Sequence, residues 1–158
     1  MVYDFTADDV FEMAEQLERN GAMFYRTAAE NVADPSAKDL LLGLAAMEDE
    51  HLKTFASLKA DLTEAEKTTT FFDPEDESAL YLRALADTRV FFEKEIDVSS
   101  MKDILKAAIL AEKDSIVFYL GMKDFVPNQL GKNRLDTIIK EEMGHIRILS
   151  KELVSLKK

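Results

Sequence analysis

Residues 41–58 read LLGLAAMEDEHLKTFASL, and this stretch decides the fold. Leu41, Leu44, Ala45, Leu52, Phe55 and Leu58 recur at the spacing of one helix face. Glu48 and His51 fall in the same series, so a carboxylate and an imidazole point the same way as the leucines. A polar group on an apolar face is costly to bury unless something pairs it. The stretch therefore predicts a core helix that carries chemistry inward.

The flanking sequence reads as more helix. Upstream, a helix is expected from about Thr6 to Asn31, with Thr6 as its cap and Asp9 three residues on. Phe11, Ala14, Leu17, Ala22, Tyr25 and Ala29 form its stripe, and Glu18 lies within it. Asp34-Pro35 reads as a cap followed by proline at the first helical position, starting a second helix that runs to about Asp61. The polar stretch Thr63 to Phe72 breaks the pattern. Asp73-Pro74 looks like another start, with the acidic run Asp73 to Glu77 as helix-start chemistry. Glu75 to Ile96 carries Leu80, Leu82, Leu85, Val90 and Phe91, a shorter helix inside a long crossover. Ser99 or Ser100 caps the next helix, to about Phe125, with Leu105, Ala108, Ile116, Tyr119 and Met122. Pro127 marks a turn. A last helix begins between Asn128 and Asn133 and runs nearly to the cationic end Lys157-Lys158, carrying Leu135, Ile138, Ile146, Leu149 and Leu153. Four long helices in two tight pairs, separated by one long connection, predict an all-α four-helix bundle in a single domain over residues 1–158.

The two pairs repeat each other. A shift of 94 residues carries Glu18, Tyr25, Glu48 and His51 onto Glu112, Tyr119, Glu142 and His145, with residue type kept each time. Glu112 sits in the stripe Leu105, Ala108, Ile116, Tyr119; Glu142 and His145 continue Leu135, Ile138, Ile146, Leu149. Four inward carboxylates cannot be left bare, because each unpaired buried charge costs several kcal/mol. Two divalent cations would neutralise them, and two imidazoles would give each cation one neutral nitrogen. Tyr25 and Tyr119 are either hydrogen-bond donors to such carboxylates or plain core tyrosines. Phe24 and Phe118 read as packing, and Met143 as a gap-filling core residue. Glu15, Glu50 and Glu141 step off the inward stripes and read as solvated.

Composition narrows the chemistry. The 31 acids against 20 bases leave a net charge of −11, which argues against a nucleic-acid footprint and against docking on an anionic membrane by charge. Cysteine is absent, which excludes disulfides, thiolate zinc sites and iron–sulfur clusters held by this chain. The apolar runs are too short to span a membrane. Met1-Val2-Tyr3-Asp4 lacks the basic and apolar regions of a signal peptide, so a cytoplasmic protein is expected.

Glu18-x6-Tyr25, Glu48-x-x-His51, Glu112-x6-Tyr119 and Glu142-x-x-His145, in this order, resemble the ferritin-like superfamily and within it the rubrerythrin-like branch. The resemblance spans nearly the whole chain. It implies Glu18 and Glu112 as terminal ligands, one per metal, Glu48 and Glu142 as bridges, and His51 and His145 as one ligand to each metal. Rubrerythrins proper add a rubredoxin-like domain with four cysteines, so this chain is not expected to relay electrons to its own site. They also carry an extra glutamate one turn after the third-helix ligand. Here that place is Ser115, with Gly21 as its repeat mate, which removes the ground for the ligand exchange attributed to that glutamate. Small residues there are expected to leave room for solvent, dioxygen or peroxide. Asp49 stands where bacterioferritins place a haem-ligating methionine, so no haem is expected. The chain stops 13 residues after His145, so a storage cage with a fifth helix is not expected.

The resemblance implies two iron ions, with manganese or a mixed pair as alternatives. The expected activity is reduction of hydrogen peroxide or dioxygen by a di-iron oxidoreductase. The alternative is an iron-binding ferroxidase protein without catalytic peroxide turnover. A third reading is an interaction module whose metals only staple the bundle. The expected partners are an external rubredoxin-like or flavoprotein electron donor and a second copy of the chain.

Overall fold

The computed structural model describes residues 6–68, 80–82, 84 and 100–156. Helix α1 spans Ala7–Glu30, α2 Pro35–Ala60, α3 Glu64–Thr68, α4 Met101–Met122 and α5 Gln129–Ser155. Each long helix starts where a short polar side chain can satisfy its free N–H groups. Thr6 Oγ1 accepts from the Asp9 N–H at 3.1 Å, and the Asp9 carboxylate accepts from the Thr6 N–H at 3.0 Å. Asp34 accepts from the Ala37 N–H at 3.0 Å, Ser100 from Asp103 at 3.1 Å and Asn128 from Gly131 at 2.7 Å.

Two boundaries differ from the reading of the sequence. Helix α4 ends at Met122 and tightens into a 3₁₀ turn, Lys123–Phe125, rather than continuing to Phe125. The residue before Pro127 is driven out of the helical region, and Val126 is extended with φ −83° and ψ 116°. The polar stretch after α2 contains the short helix α3 rather than only a break. Of the expected crossover helix, residues 80–82 and 84 are helical. Asp73-Pro74, the acidic run to Glu77, Leu85, Val90, Phe91, Ser99 and Lys157-Lys158 lie outside the described residues.

The closest packing is within the pairs α1–α2 and α4–α5, and the pairs meet through α1 on α4 and α2 on α5. Two apolar clusters fill the interior. One gathers Phe11, Leu17, Phe55, Tyr119, Met122 and Leu135; the other gathers Phe24, Tyr25, Leu41, Leu44, Leu105 and Leu149. Along α1 and α5 the first cluster precedes the second, whereas along α2 and α4 the order is reversed. Helices α2 and α4 therefore run in the same direction. The connection between them must return the length of the bundle, which at 1.5 Å per residue is about 35 Å. Near its middle, Leu82 joins the first cluster and the Tyr81 hydroxyl donates to the Val117 carbonyl at 2.9 Å. Gly121 makes that contact possible, because a Cβ there would lie 2.5 Å from the Tyr81 ring. No helix among the described residues is long and apolar enough to cross a membrane.

Candidate metal centre

Between the two apolar clusters lies one polar layer. On every long helix the cluster residues are interrupted where a glutamate or a Glu-x-x-His pair falls: Glu18 on α1, Glu48 and His51 on α2, Glu112 on α4, Glu142 and His145 on α5. All six are buried, none more than 4% exposed. Helical spacing brings each inward from its own stripe, and the antiparallel pairing brings the stripes to one level. The structure thus brings together all six residues singled out as metal candidates, with the two tyrosines beside them.

The six form two overlapping sets. Ligand atoms of Glu18, Glu48, His51 and Glu142 lie within 4.8 Å of one another, as do those of Glu48, Glu112, Glu142 and His145. Glu48 and Glu142 belong to both. His51 Nδ1 is 3.5 Å from Glu18 Oε2 and 3.3 Å from Glu142 Oε1. His145 Nδ1 is 3.2 Å from Glu48, 3.2 Å from Glu112 and 3.0 Å from Glu142. The imidazole rings stack with centroids 5.8 Å apart.

The tyrosines donate across the bundle. The Tyr25 hydroxyl gives a 2.5 Å hydrogen bond to Glu112 Oε1, and Tyr119 gives one of 2.5 Å to Glu18 Oε1. Each half therefore positions the other half's glutamate. Of the two readings of these tyrosines, donation to the carboxylates is what the structure shows. Burial, followed by the charge of Glu112 on Tyr25 and of Glu18 on Tyr119, holds both hydroxyls protonated well above the ordinary range.

The layer is short of partners. Glu18 Oε2, Glu48 Oε1, His51 Nδ1 and both oxygens of Glu142 are buried without a hydrogen bond, although histidine or carboxylate atoms lie close by. Burial first, then the mutual repulsion of the acids, pushes the carboxyls of Glu48 and Glu142 up; burial also raises that of Glu18. Burial opposes charge on the histidines, but the carboxylates around them outweigh it. They push His51 up to about 11 and His145 up to about 12. Orphaned oxygens and an imidazole nitrogen converging on two overlapping sets are what a pair of cations would satisfy. All-oxygen and imidazole donors, with no thiolate, suit iron or manganese.

Three expectations about the surroundings are overturned. Glu141 is exposed, in keeping with its place off the stripe, but its Oε2 also lies 2.7 Å from His51 Nε2. Glu15 is buried rather than solvated, 3.1 Å from Arg19 and 3.7 Å from Lys59, whose side chains cover it. Met143 is half-exposed rather than in the core, because adjacent helical residues diverge and Glu142 takes the inward direction. The space at Gly21 is taken by Glu48, whose Oε2 would lie 2.8 Å from a Cβ there, so it is not left for solvent. Glu50 is exposed and paired with Lys53, in keeping with its place off the stripe. Sequence reasoning missed Glu141 and Met47, whose Sδ lies 3.3 Å from His145 Nε2. Their signal was present: they are repeat mates, each directly before a Glu-x-x-His motif.

Comparison with known proteins agrees with this geometry. The structure is similar to the crystal structure of a Thermotoga maritima protein assigned provisionally as ferritin-like and diiron-carboxylate. The TM-score is 0.72 at 25% sequence identity, covering 97% of each chain. No curated protein matches. The Rubrerythrin family model matches residues 9–153, a span that contains all of the paired Glu and Glu-x-x-His elements from Glu18 to His145, and the chain belongs to the rubrerythrin family.

Proposed function

We propose that the protein is a di-iron oxidoreductase that reduces hydrogen peroxide or dioxygen with electrons from an external donor. The observation that carries this reading is the pair of overlapping ligand sets, in which five buried atoms make no hydrogen bond. Glu18 and His51 would hold one ion, Glu112 and His145 the other, and Glu48 and Glu142 would bridge. A ferrous pair supplies two electrons to one oxidant; with two protons, hydrogen peroxide becomes two waters. The residues do the rest. Tyr119 and Tyr25 fix the outer carboxylates through donated hydrogen bonds, which leaves Glu18 Oε2 beside His51 and Glu112 Oε1 beside His145. The apolar layers above and below keep bulk water from the charged level, which strengthens every electrostatic contact there. No cysteine in the sequence offers a second redox centre, hence the external donor. A homodimer belongs to the same proposal.

The test is metal content of protein made in iron-sufficient cells, with the double variant Glu48→Ala, Glu142→Ala as control. Two irons per chain, absent from the control, are expected. Peroxide consumption should then continue through many equivalents when reductant is supplied. Consumption that stops after the bound iron is oxidised would favour iron binding and oxidation alone. Absence of metal after anaerobic ferrous reconstitution would overturn the reading.

A further inference from the structure

The shift of 94 residues that maps every proposed ligand onto its like maps Met47 onto Glu141. These mates occupy equivalent places. Glu141 on α5 reaches across to the outer nitrogen of His51 on α2, at 2.7 Å. Met47 on α2 reaches the outer nitrogen of His145 on α5, at 3.3 Å. The halves thus match in their inward groups and differ in what stands behind each imidazole.

From this difference we infer that the two metal positions are unequal, and that Glu141 makes the Glu18–His51 position the one that fills first. The inference rests on the metal-centre reading. A carboxylate has no proton to give, so Nε2 of His51 must carry the hydrogen and donate it. That keeps Nε2 occupied and makes Nδ1, which faces Glu18 and Glu142, the nitrogen whose proton a cation would displace. The charge behind the ring also makes Nδ1 a better donor to a cation, an effect worth about 10–100-fold in affinity where a histidine loses such a partner. A thioether is a weak, uncharged acceptor and gives His145 neither benefit. Glu141 and Met47 are positioning residues: each acts through a histidine and touches no ion. The other repeat difference beside the site, Gly21 against Ser115, does not explain such an order. Gly21 abuts Glu48, which belongs to both sets.

The test uses one equivalent of manganous ion per chain, with occupancy at each position read from anomalous diffraction. In the wild-type protein the Glu18–His51 position should hold about tenfold more ion than the other. Glu141→Met puts a thioether behind both rings and Met47→Glu a carboxylate behind both; either should bring the occupancies toward equality. The exchange of both, Met47→Glu with Glu141→Met, should reverse the order. Both side chains are partly exposed, so the variants are expected to fold, and circular dichroism checks this. Equal filling in the wild type, or an order that the exchange leaves unchanged, overturns the inference and leaves the metal centre standing. Absence of ion from both positions at higher metal concentration refutes the metal centre and the inference together.

Discussion

Gly21→Ala separates the demands of the fold from those of the site. A methyl group at this position would meet Glu48 Oε2 at 2.8 Å, while Glu48 Cδ and Cγ would lie at 3.4 and 3.5 Å. Only the carboxylate oxygen is too close, and it ends a flexible side chain. Moving it by about 0.6 Å restores ordinary contact. A strained rotamer would cost about 0.5–1.5 kcal/mol. Against that, alanine in a helix interior gains about 1 kcal/mol over glycine. The metal-free fold should therefore change by no more than about 1 kcal/mol in either direction. The site has no such margin, because metal–ligand distances tolerate only about 0.2 Å. Glu48 belongs to both ligand sets, so both positions should suffer. Affinity for manganous ion should fall at least about tenfold, equivalent to roughly 1.4 kcal/mol. Urea denaturation of chelator-treated protein measures the first quantity and calorimetric titration the second. Metal affinity within about twofold of wild type would refute the argument that Gly21 exists to admit Glu48.

Other perturbations read different parts of the structure. Tyr25→Phe and Tyr119→Phe each remove a hydrogen bond to a buried carboxylate oxygen; Tyr119→Phe should cost about 1.5–3 kcal/mol in urea denaturation, and Tyr25→Phe less, because His145 Nδ1 stays 3.2 Å from the same Glu112 oxygen. Metal-free protein should lose stability as pH rises, since Glu18, Glu48, Glu142 and both histidines are held above their ordinary pKa and the folded state binds more protons than the unfolded. The carboxyl contribution is complete only below the ordinary value of 4.5 and is lost as pH rises through the folded values. The histidine contribution is complete below 6.5 and is lost toward about 11 and 12. Melting temperature in the presence of chelator should fall from about pH 5 to about pH 9, and a rise would contradict the assigned shifts. Bound cations displace these protons, so the stabilisation due to metal should grow over the same interval. Phe55→Ala, at a fully buried ring, should cost about 3–5 kcal/mol in a thermal or urea melt. Arg26→Ala, which breaks an exposed ion pair with Asp49, should cost no more than about 1 kcal/mol.

The helices were legible because their signals are local. Thr6, Asp34, Ser100 and Asn128 each cap a helix by accepting from an N–H three residues further along the chain. The inward faces were legible because burial along one helix has a period that the residue types repeat. The partner of a side chain across an interface has no such period. Glu141 is off the inward stripe of α5, and only the position of α2 beside it gives it His51. Glu15 looked solvated for the same reason, until Lys59 from α2 closes over it. At Gly21 the composition showed a small residue but not which side chain uses the space. Leu52, placed on the inward face of α2 with its neighbours, is only partly buried, because a six-residue stripe is wider than the strip that the partner helices cover.

The repeat also separates two kinds of requirement. Six ligand candidates and two tyrosines match between the halves, so the level at the centre of the bundle is built twice from the same parts. A protein that only had to fold would gain by filling that level with apolar residues, since buried charge groups are at best weakly stabilising. The charged level is therefore explained by what it can hold. Two positions behind the histidines differ instead, Met47 against Glu141, and one beside a bridging carboxylate, Gly21 against Ser115. These residues stand next to the ligand set without belonging to it. A change there alters how tightly each imidazole is oriented, or where a carboxylate rests, without removing a donor atom. A repeat that matches in its donors and differs in their supports can keep two ions while making them unequal. The same position would then stay filled while the other exchanges, whereas in a symmetric site of the same composition either position would be filled equally often.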